Sequence, residues 1–140
     1  MKSIWLLSAV ALSLCLSCNS AHVENNLEKE AATIAVAWLD YVDAENYAAS
    51  WQTASTYFQG VVPEKTWVES LSSVRKPLGE MVSRHVKHTQ HTKSVSGAPD
   101  GDYVIMQFDT SFENKKSAIE TVTFMRDSDR KWKAAGYYIK

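Results

Sequence analysis

Cysteine is nearly missing from this chain, and its placement excludes most of its chemistry. The two cysteines, Cys15 and Cys18, both lie in an apolar N-terminal segment. From Asn19 onward there is no disulfide, no thiolate nucleophile and no cysteine-based zinc site. An excess of one charge is also missing. Fifteen Lys and Arg face sixteen Asp and Glu, for a net charge of −1. Without clustered basic residues to neutralise phosphates, nothing points to nucleic acid as a partner. Lys115-Lys116, the densest basic pair beyond the N-terminus, reads as a solvated turn. A membrane-length apolar run is missing too. Ile4 to Leu16 is apolar apart from Ser8 and Ser13, short of the ~20 residues a bilayer takes. Among catalytic motifs, G-x-S-x-G and H-E-x-x-H do not occur, and C-x-x-C does not occur beyond the N-terminal segment. The stretch from Gly60 to Thr66 brushes against a phosphate loop. It lacks the glycine before the lysine, and Pro63 removes a cradling amide.

What is there begins with a leader. Lys2 supplies a positive n-region, and Ile4–Leu16 has the length of a signal-peptide apolar core. Two processing routes fit. In one, Cys18 is the lipidated first residue of the mature chain, with small Ser17 before it; Cys15 stands where such signals usually have Leu. In the other, cleavage follows Ser17 or Ser20, with small residues one and three positions before either bond. The expected organisation is residues 1–18 as signal peptide, 19–25 as a short tether and 26–140 as one domain.

The domain changes period once. Leu27, Ala31, Ile34, Trp38 and Tyr41 recur at helical spacing behind an Asn25–Glu28 capping box. Tyr47, Trp51, Ala54 and Phe58 predict a second helix from about Ala44 to Gly60. Trp67, Leu71, Val74 and Leu78 predict a third behind Pro63. After Gly79 the alternation becomes two-fold. Strands are expected over Met81–Lys93, Val104–Phe112, Ala118–Arg126 and Lys131–Ile139, joined by short turns. Segregated helices and strands imply an α+β fold: three N-terminal helices packed on a four-stranded antiparallel meander.

The C-terminal half also carries a recognisable pattern. Gly101-Asp102-Tyr103-Val104-Ile105-Met106-Gln107-Phe108 is followed by Glu120-Thr121-Val122-Thr123-Phe124. Lys131-Trp132-Lys133-Ala134-Ala135-Gly136-Tyr137-Tyr138-Ile139 closes the chain, with Trp67 and Arg75-Lys76-Pro77-Leu78-Gly79 upstream. Together these resemble the bacterial domain-of-unknown-function family 4019 over roughly residues 28–140. The resemblance implies export and brings no activity, substrate or catalytic residue. Arg130 stands where such a turn often has glycine, which leaves the turn type open. A looser likeness is to the cone-shaped fold of nuclear transport factor 2, or a cystatin-like arrangement. It implies helices over a curved sheet and constrains function little.

Few residues point to chemistry. His85, His88 and His91 form H-x2-H-x2-H. On a regular strand His85 and His91 share a face and His88 turns away, so no metal site is expected. Glu120 shares a strand face with Val122 and Phe124. Inside a pocket it is a candidate general base; otherwise it is an ion-pair partner of Arg75 or Arg84. Those two arginines are candidates for holding an anionic ligand, against a plain solubility role. The tryptophans fall on core stripes. Trp67 and Tyr137 are the aromatics assigned to a ligand pocket. No cofactor is expected. The function anticipated is an exported, non-catalytic module of the bacterial envelope. It would bind a small molecule or an envelope protein, with membrane attachment through lipidated Cys18. The alternatives are a transport-factor-like enzyme using Glu120 and an envelope assembly factor. An exposed apolar patch around Tyr103 and Ile105 would favour the assembly factor.

Overall fold

The computed structural model describes residues 17–140. The leader segment before Ser17 lies outside the described residues. Four α-helices precede four strands, instead of the three helices expected. They are α1 (Ser17–Asp43), α2 (Tyr47–Gln52), α3 (Thr56–Val61) and α4 (Glu64–Arg75). A 3-10 turn, Lys76–Leu78, leads into β1 (Met81–Thr92), β2 (Tyr103–Phe112), β3 (Lys115–Arg126) and β4 (Trp132–Ile139). The sheet order is β1-β2-β3-β4, antiparallel throughout. The meander and the α+β class are as anticipated.

The extra helix has a local cause. The expected second helix breaks at Thr53–Ser55, because Ser55 does better as a cap than as a helical residue. Its hydroxyl accepts from the Phe58 amide at 3.1 Å, and its own amide donates to Ala134 O of β4 at 2.8 Å. Asp127, in the β3–β4 turn, accepts from the Thr56 amide and hydroxyl at 2.8 and 2.9 Å. Asn46 caps α2 in the same way. Each short helix thus starts on a side-chain acceptor that satisfies an otherwise free amide.

Helix α1 is already formed at Ser17, the first described residue, eight residues before the expected cap at Asn25. Residues 19–25, expected as a tether, are helical, and 20–25 are solvent-exposed. The face of α1 that is buried is also rotated from the predicted stripe. Ala31, Ala35, Trp38, Leu39 and Val42 are buried, whereas Ile34 and Tyr41 are exposed at its edge. That face lies on the inner side of the sheet, against Val104, Met106, Phe108, Val122 and Phe124. Burying these apolar side chains is the main driving force for assembly.

Trp38 centres the core. Its ring meets Phe124 edge-on at 6.0 Å and lies 6.4 Å from Trp67. Ser50 makes this possible: its carbonyl accepts from Trp38 Nε1 and its hydroxyl from Trp67 Nε1, both at 2.9 Å. The β3–β4 turn settles the Arg130 question. Arg130 sits at φ 64°, the left-handed conformation that usually selects glycine.

Burial pushes the Asp127 carboxyl up, but the Thr56 and Ser128 amides, the Thr56 hydroxyl and Lys133 outweigh it and hold it far below the usual range. A depressed carboxylate stabilises the fold above its unfolded value and loses that contribution as pH falls toward its folded one. Asp127→Ala is therefore expected to cost about 1–2 kcal/mol, the size of a lost helix cap. In urea titrations at pH 7 and pH 3 the gap between variant and parent should narrow at the lower pH.

Candidate functional site

One cluster gathers Arg75, Arg84, Glu120 and Tyr137 from among the residues singled out in the sequence, beneath the C-terminal ends of α1 and α4. Leu71 and Arg75 share a helical face of α4, and Arg75 is 5% exposed. Arg84 comes from β1, directly opposite Thr110 of β2. Glu120 comes from β3 beside Val122 and Phe124, and it is fully buried. Tyr137 reaches in from β4, and Asp43 is the last residue of α1.

The carboxylates and guanidiniums interlock. Arg75 Nη1 donates to Glu120 Oε1 at 2.9 Å and Nη2 to Asp43 Oδ1 at 2.7 Å. Arg84 Nε donates to Glu120 Oε2 at 2.7 Å and Nη1 to Asp43 Oδ2 at 2.7 Å. Its Nη2 bridges both acids, at 2.9 Å to Asp43 Oδ1 and 3.1 Å to Glu120 Oε1. Two neutral hydroxyls complete the shell: Tyr137 donates to Glu120 Oε1 at 2.6 Å and Thr110 to Glu120 Oε2 at 2.6 Å. Arg75 also stacks over the Phe112 ring at 4.6 Å. Two positive and two negative charges cancel, so a group buried as deeply as Glu120 is tolerated.

This arrangement decides what the residues can do chemically. Glu120 accepts five hydrogen bonds, which leaves little lone-pair capacity for a substrate proton. The terminal nitrogens of both arginines are spent on internal carboxylates, so neither is free for an anionic ligand. Burial pushes the Asp43 carboxyl up, but Arg84 and then Arg75 more than offset it and hold it below the usual range. Burial and the Glu120 charge push the Tyr137 phenol well above its ordinary value. Asp43 and Thr110 were not singled out in the sequence, though each left a trace. Asp43 is an acid at a helix C-terminus, where the helix dipole disfavours it. Thr110 is the one polar side chain in the alternating stripe Val104, Met106, Phe108, Thr110, Phe112.

The aromatic candidates line a neighbouring place, with Tyr137 shared between it and the network. Trp67, Leu71, Val74, Tyr137, Tyr138 and Ile139 form an open groove of about 220 Å³ between α4 and β4. Trp67 is buried while Val74 and Tyr138 are 44% and 54% exposed. A shallower groove of about 160 Å³ lies between α1 and the sheet, lined by Ile34, Trp38, Tyr41, Phe124 and Trp132.

The histidines do not follow regular-strand geometry. A bulge between Val86 and His88 inserts one residue. His85 and His88 consequently face outward opposite Asp109 and Gln107, while His91 turns inward opposite Val104. Each residue inserted by a bulge reverses the faces beyond it, which inverts the expected pairing of His85 with His91. The His91 ring contacts Asp102 at 2.9 Å, and its backbone amide donates to Glu28 of α1 at 3.1 Å. Among the described residues no three His, Cys, Asp or Glu side chains are grouped to hold a metal ion.

Removing one member of a buried ion pair leaves its partners uncompensated. Glu120→Gln is expected to destabilise the domain by about 3–5 kcal/mol, and Glu120→Gln with Arg84→Met by less than the sum of the two single changes. Chemical denaturation of the four proteins measures both. The pH dependence has two edges. Asp43 contributes stability above its ordinary value near 3.8 that is lost as pH falls. Tyr137, with its raised value, contributes fully below its ordinary value of 10.0 and loses that contribution as pH rises. The Tyr137→Phe variant should show a weaker fall in stability above pH 10 than the parent.

Comparison with known proteins adds a family and no activity. No match was found among curated proteins or among solved structures. A family model described as "Protein of unknown function (DUF4019)" matches residues 34–137. That span contains every member of the ion network, the groove between α1 and the sheet, and most of the α4–β4 groove, whose Tyr138 and Ile139 lie just beyond it, and the chain belongs to this family.

Proposed function

We propose that this chain is an exported, non-catalytic binding module of the bacterial envelope. The observation that carries the reading is the closure of the Asp43–Arg75–Arg84–Glu120 network. This buried cluster of carboxylates, guanidiniums and a phenol is charge-neutral, and Glu120 is saturated with donors. It works as an internal brace. An open concave surface that is apolar and aromatic lies instead at the α4–β4 groove. A groove of that character accepts an apolar small molecule or an apolar side chain of an envelope protein. The transport-factor-like enzyme reading, with its cone-shaped pocket, needs Glu120 free to take a proton, and five donors oppose it. The assembly-factor reading called for an exposed patch around Tyr103 and Ile105. Tyr103 is fully buried, its hydroxyl bonded to Pro99 O.

Export rests on the leader, with Cys18 as the acylated first residue of the mature chain. Helix α1 supports this reading. The ten residues from Cys18 to Leu27 span about 14 Å as helix, nine rises of 1.5 Å, and 20–26 are exposed. An acylated Cys18 would hang the domain on a short helical stalk clear of the bilayer surface. The groove would then face the space outside the inner membrane.

Two measurements test the reading. Intact mass of the protein from membrane and soluble envelope fractions should show a diacylglycerol adduct that Cys18→Ser abolishes; an unmodified chain starting after Ser17 or Ser20 would rule out the anchor. Intrinsic tryptophan fluorescence, to which Trp67 contributes from the groove, should respond saturably to a largely apolar probe such as 1-anilinonaphthalene-8-sulfonate. Val74→Glu, at an exposed groove position, should weaken that response about tenfold, the effect of placing a charge in an apolar contact. An unchanged response would remove the groove from the proposal.

A further inference from the structure

A second, polar pocket lies at the opposite edge of the ion network. It is small, about 40 Å³, and is lined by Val42, Asp43, Glu45, Tyr47, Arg75, Gly79 and Glu80. That is room for one group of water or ammonium size, since a water occupies ≈30 Å³ of liquid.

Three observations converge on this pocket. The first is charge. Asp43 and Arg75 neutralise one another within the network, so the lining keeps Glu45 and Glu80 as its unbalanced charges. The second is an orphan. Tyr47 is 4% exposed, and its hydroxyl is buried with no hydrogen-bond partner. Most buried polar atoms are satisfied, and an exception calls for a reason. Tyr47 lines the pocket together with Glu45, Arg75 and Asp43. The third is backbone cost. Helix α1 ends with the Asn46 amide bonded to Tyr41 O at 2.8 Å and the Glu45 amide to Val42 O at 3.1 Å. This closing motif places its penultimate residue in the left-handed conformation, usually as glycine. Here it is Glu45, at φ 57°. A carboxylate is kept at the pocket mouth where backbone preference asks for glycine.

We propose that this pocket binds a primary ammonium group, such as that of a small amine. The α1 C-terminus presents the negative end of a 27-residue helix dipole, and Glu45 and Glu80 add net charge. An ammonium offers three donors, matched by Tyr47 Oη and the two free carboxylates. A divalent metal fits less well. No three carboxylates or histidines among the described residues are grouped for coordination, whereas N–H···O contacts span longer distances. Arg75 does not repel the guest strongly, because its charge is spent on Asp43 and Glu120.

The test is a titration of the full chain in detergent, ¹⁵N-labelled, with methylammonium chloride. Sodium chloride and calcium chloride at matched ionic strength serve as controls. Saturable shifts are expected at the Glu45, Tyr47, Gly79 and Glu80 amides with methylammonium alone, with a Kd on the order of 1 mM. Tyr47→Phe and Glu45→Gln should each weaken binding about tenfold, the loss of one charge-assisted hydrogen bond. Glu45→Gly should weaken it too while raising Tm, since it removes the ligand carboxylate and relieves the backbone together. Equal shifts with sodium chloride, tighter binding of calcium, or a pocket holding only water and giving no saturable response would overturn the proposal. Parent-like affinity in Glu45→Gln would do the same, and that exposed position carries the test if Tyr47→Phe fails to fold.

Discussion

Glu120 has no access to water, and its negative charge is tolerable only because two arginines from separate elements reach it. Much of the architecture follows from that requirement. Arg75 must arrive from the end of α4, Arg84 from the edge strand β1, and Asp43 from the end of α1 to balance the second guanidinium. Thr110 of β2 and Tyr137 of β4 supply the remaining donors. All four strands and the two longest helices therefore contribute one side chain each to a single cluster. Such a network is weak as a source of net stability, because desolvating four charges costs about what their attraction returns. Its effect is on alternatives. Slipping β3 by one residue would turn Glu120 to the outer face and leave two arginines buried without it. Misregistered sheets are penalised far more than the native one is favoured.

The strands were legible in the sequence because their signal is local. Alternation of Val104, Met106, Phe108 and Phe112 against polar neighbours places β2 and its inner face without knowledge of anything else. The helices were legible in number only approximately. Ser55 and Asn46 are residue types that cap helices, yet both sat inside an apolar repeat that reads as continuous. What broke the helix at Ser55 is remote: Asp127 and Ala134 lie more than seventy residues away and supply the bonds that make capping pay. The bulge in β1 left no mark in composition, so the faces of His88 and His91 came out reversed.

The ion network shows where such reading stops. Glu120, Arg75, Arg84 and Tyr137 were each conspicuous alone, and each had a functional and a structural explanation. Choosing between them needed the pairing itself. On α4 the repeat Trp67, Leu71 continues at the same spacing either to Val74 or to Arg75. An apolarity count selects Val74, which is 44% exposed, over Arg75, which is 5% exposed. A long aliphatic stem with a guanidinium head can occupy a core position when an acid waits at its end, and that acid is on another element.

Departures from local rules cluster at the C-terminal end of α1. Asp43 and Glu45 are acids where the helix dipole favours bases, Glu45 also takes a glycine conformation, and the Tyr47 hydroxyl has no partner. Asp43 is explained by the two arginines. The other two are explained by nothing inside the described residues: Glu45 makes no ion pair there, and nothing satisfies Tyr47. The left-handed Arg130 in the β3–β4 turn is another departure, but at the end of α1 two uncompensated departures face one small cavity, and together they carry more weight than either alone. Local sequence and global fold mostly agree because folding selects for agreement. Where they disagree and the fold offers no repair, the compensation has to come from outside it, and a cation of hydrogen-bonding type is what these particular atoms lack.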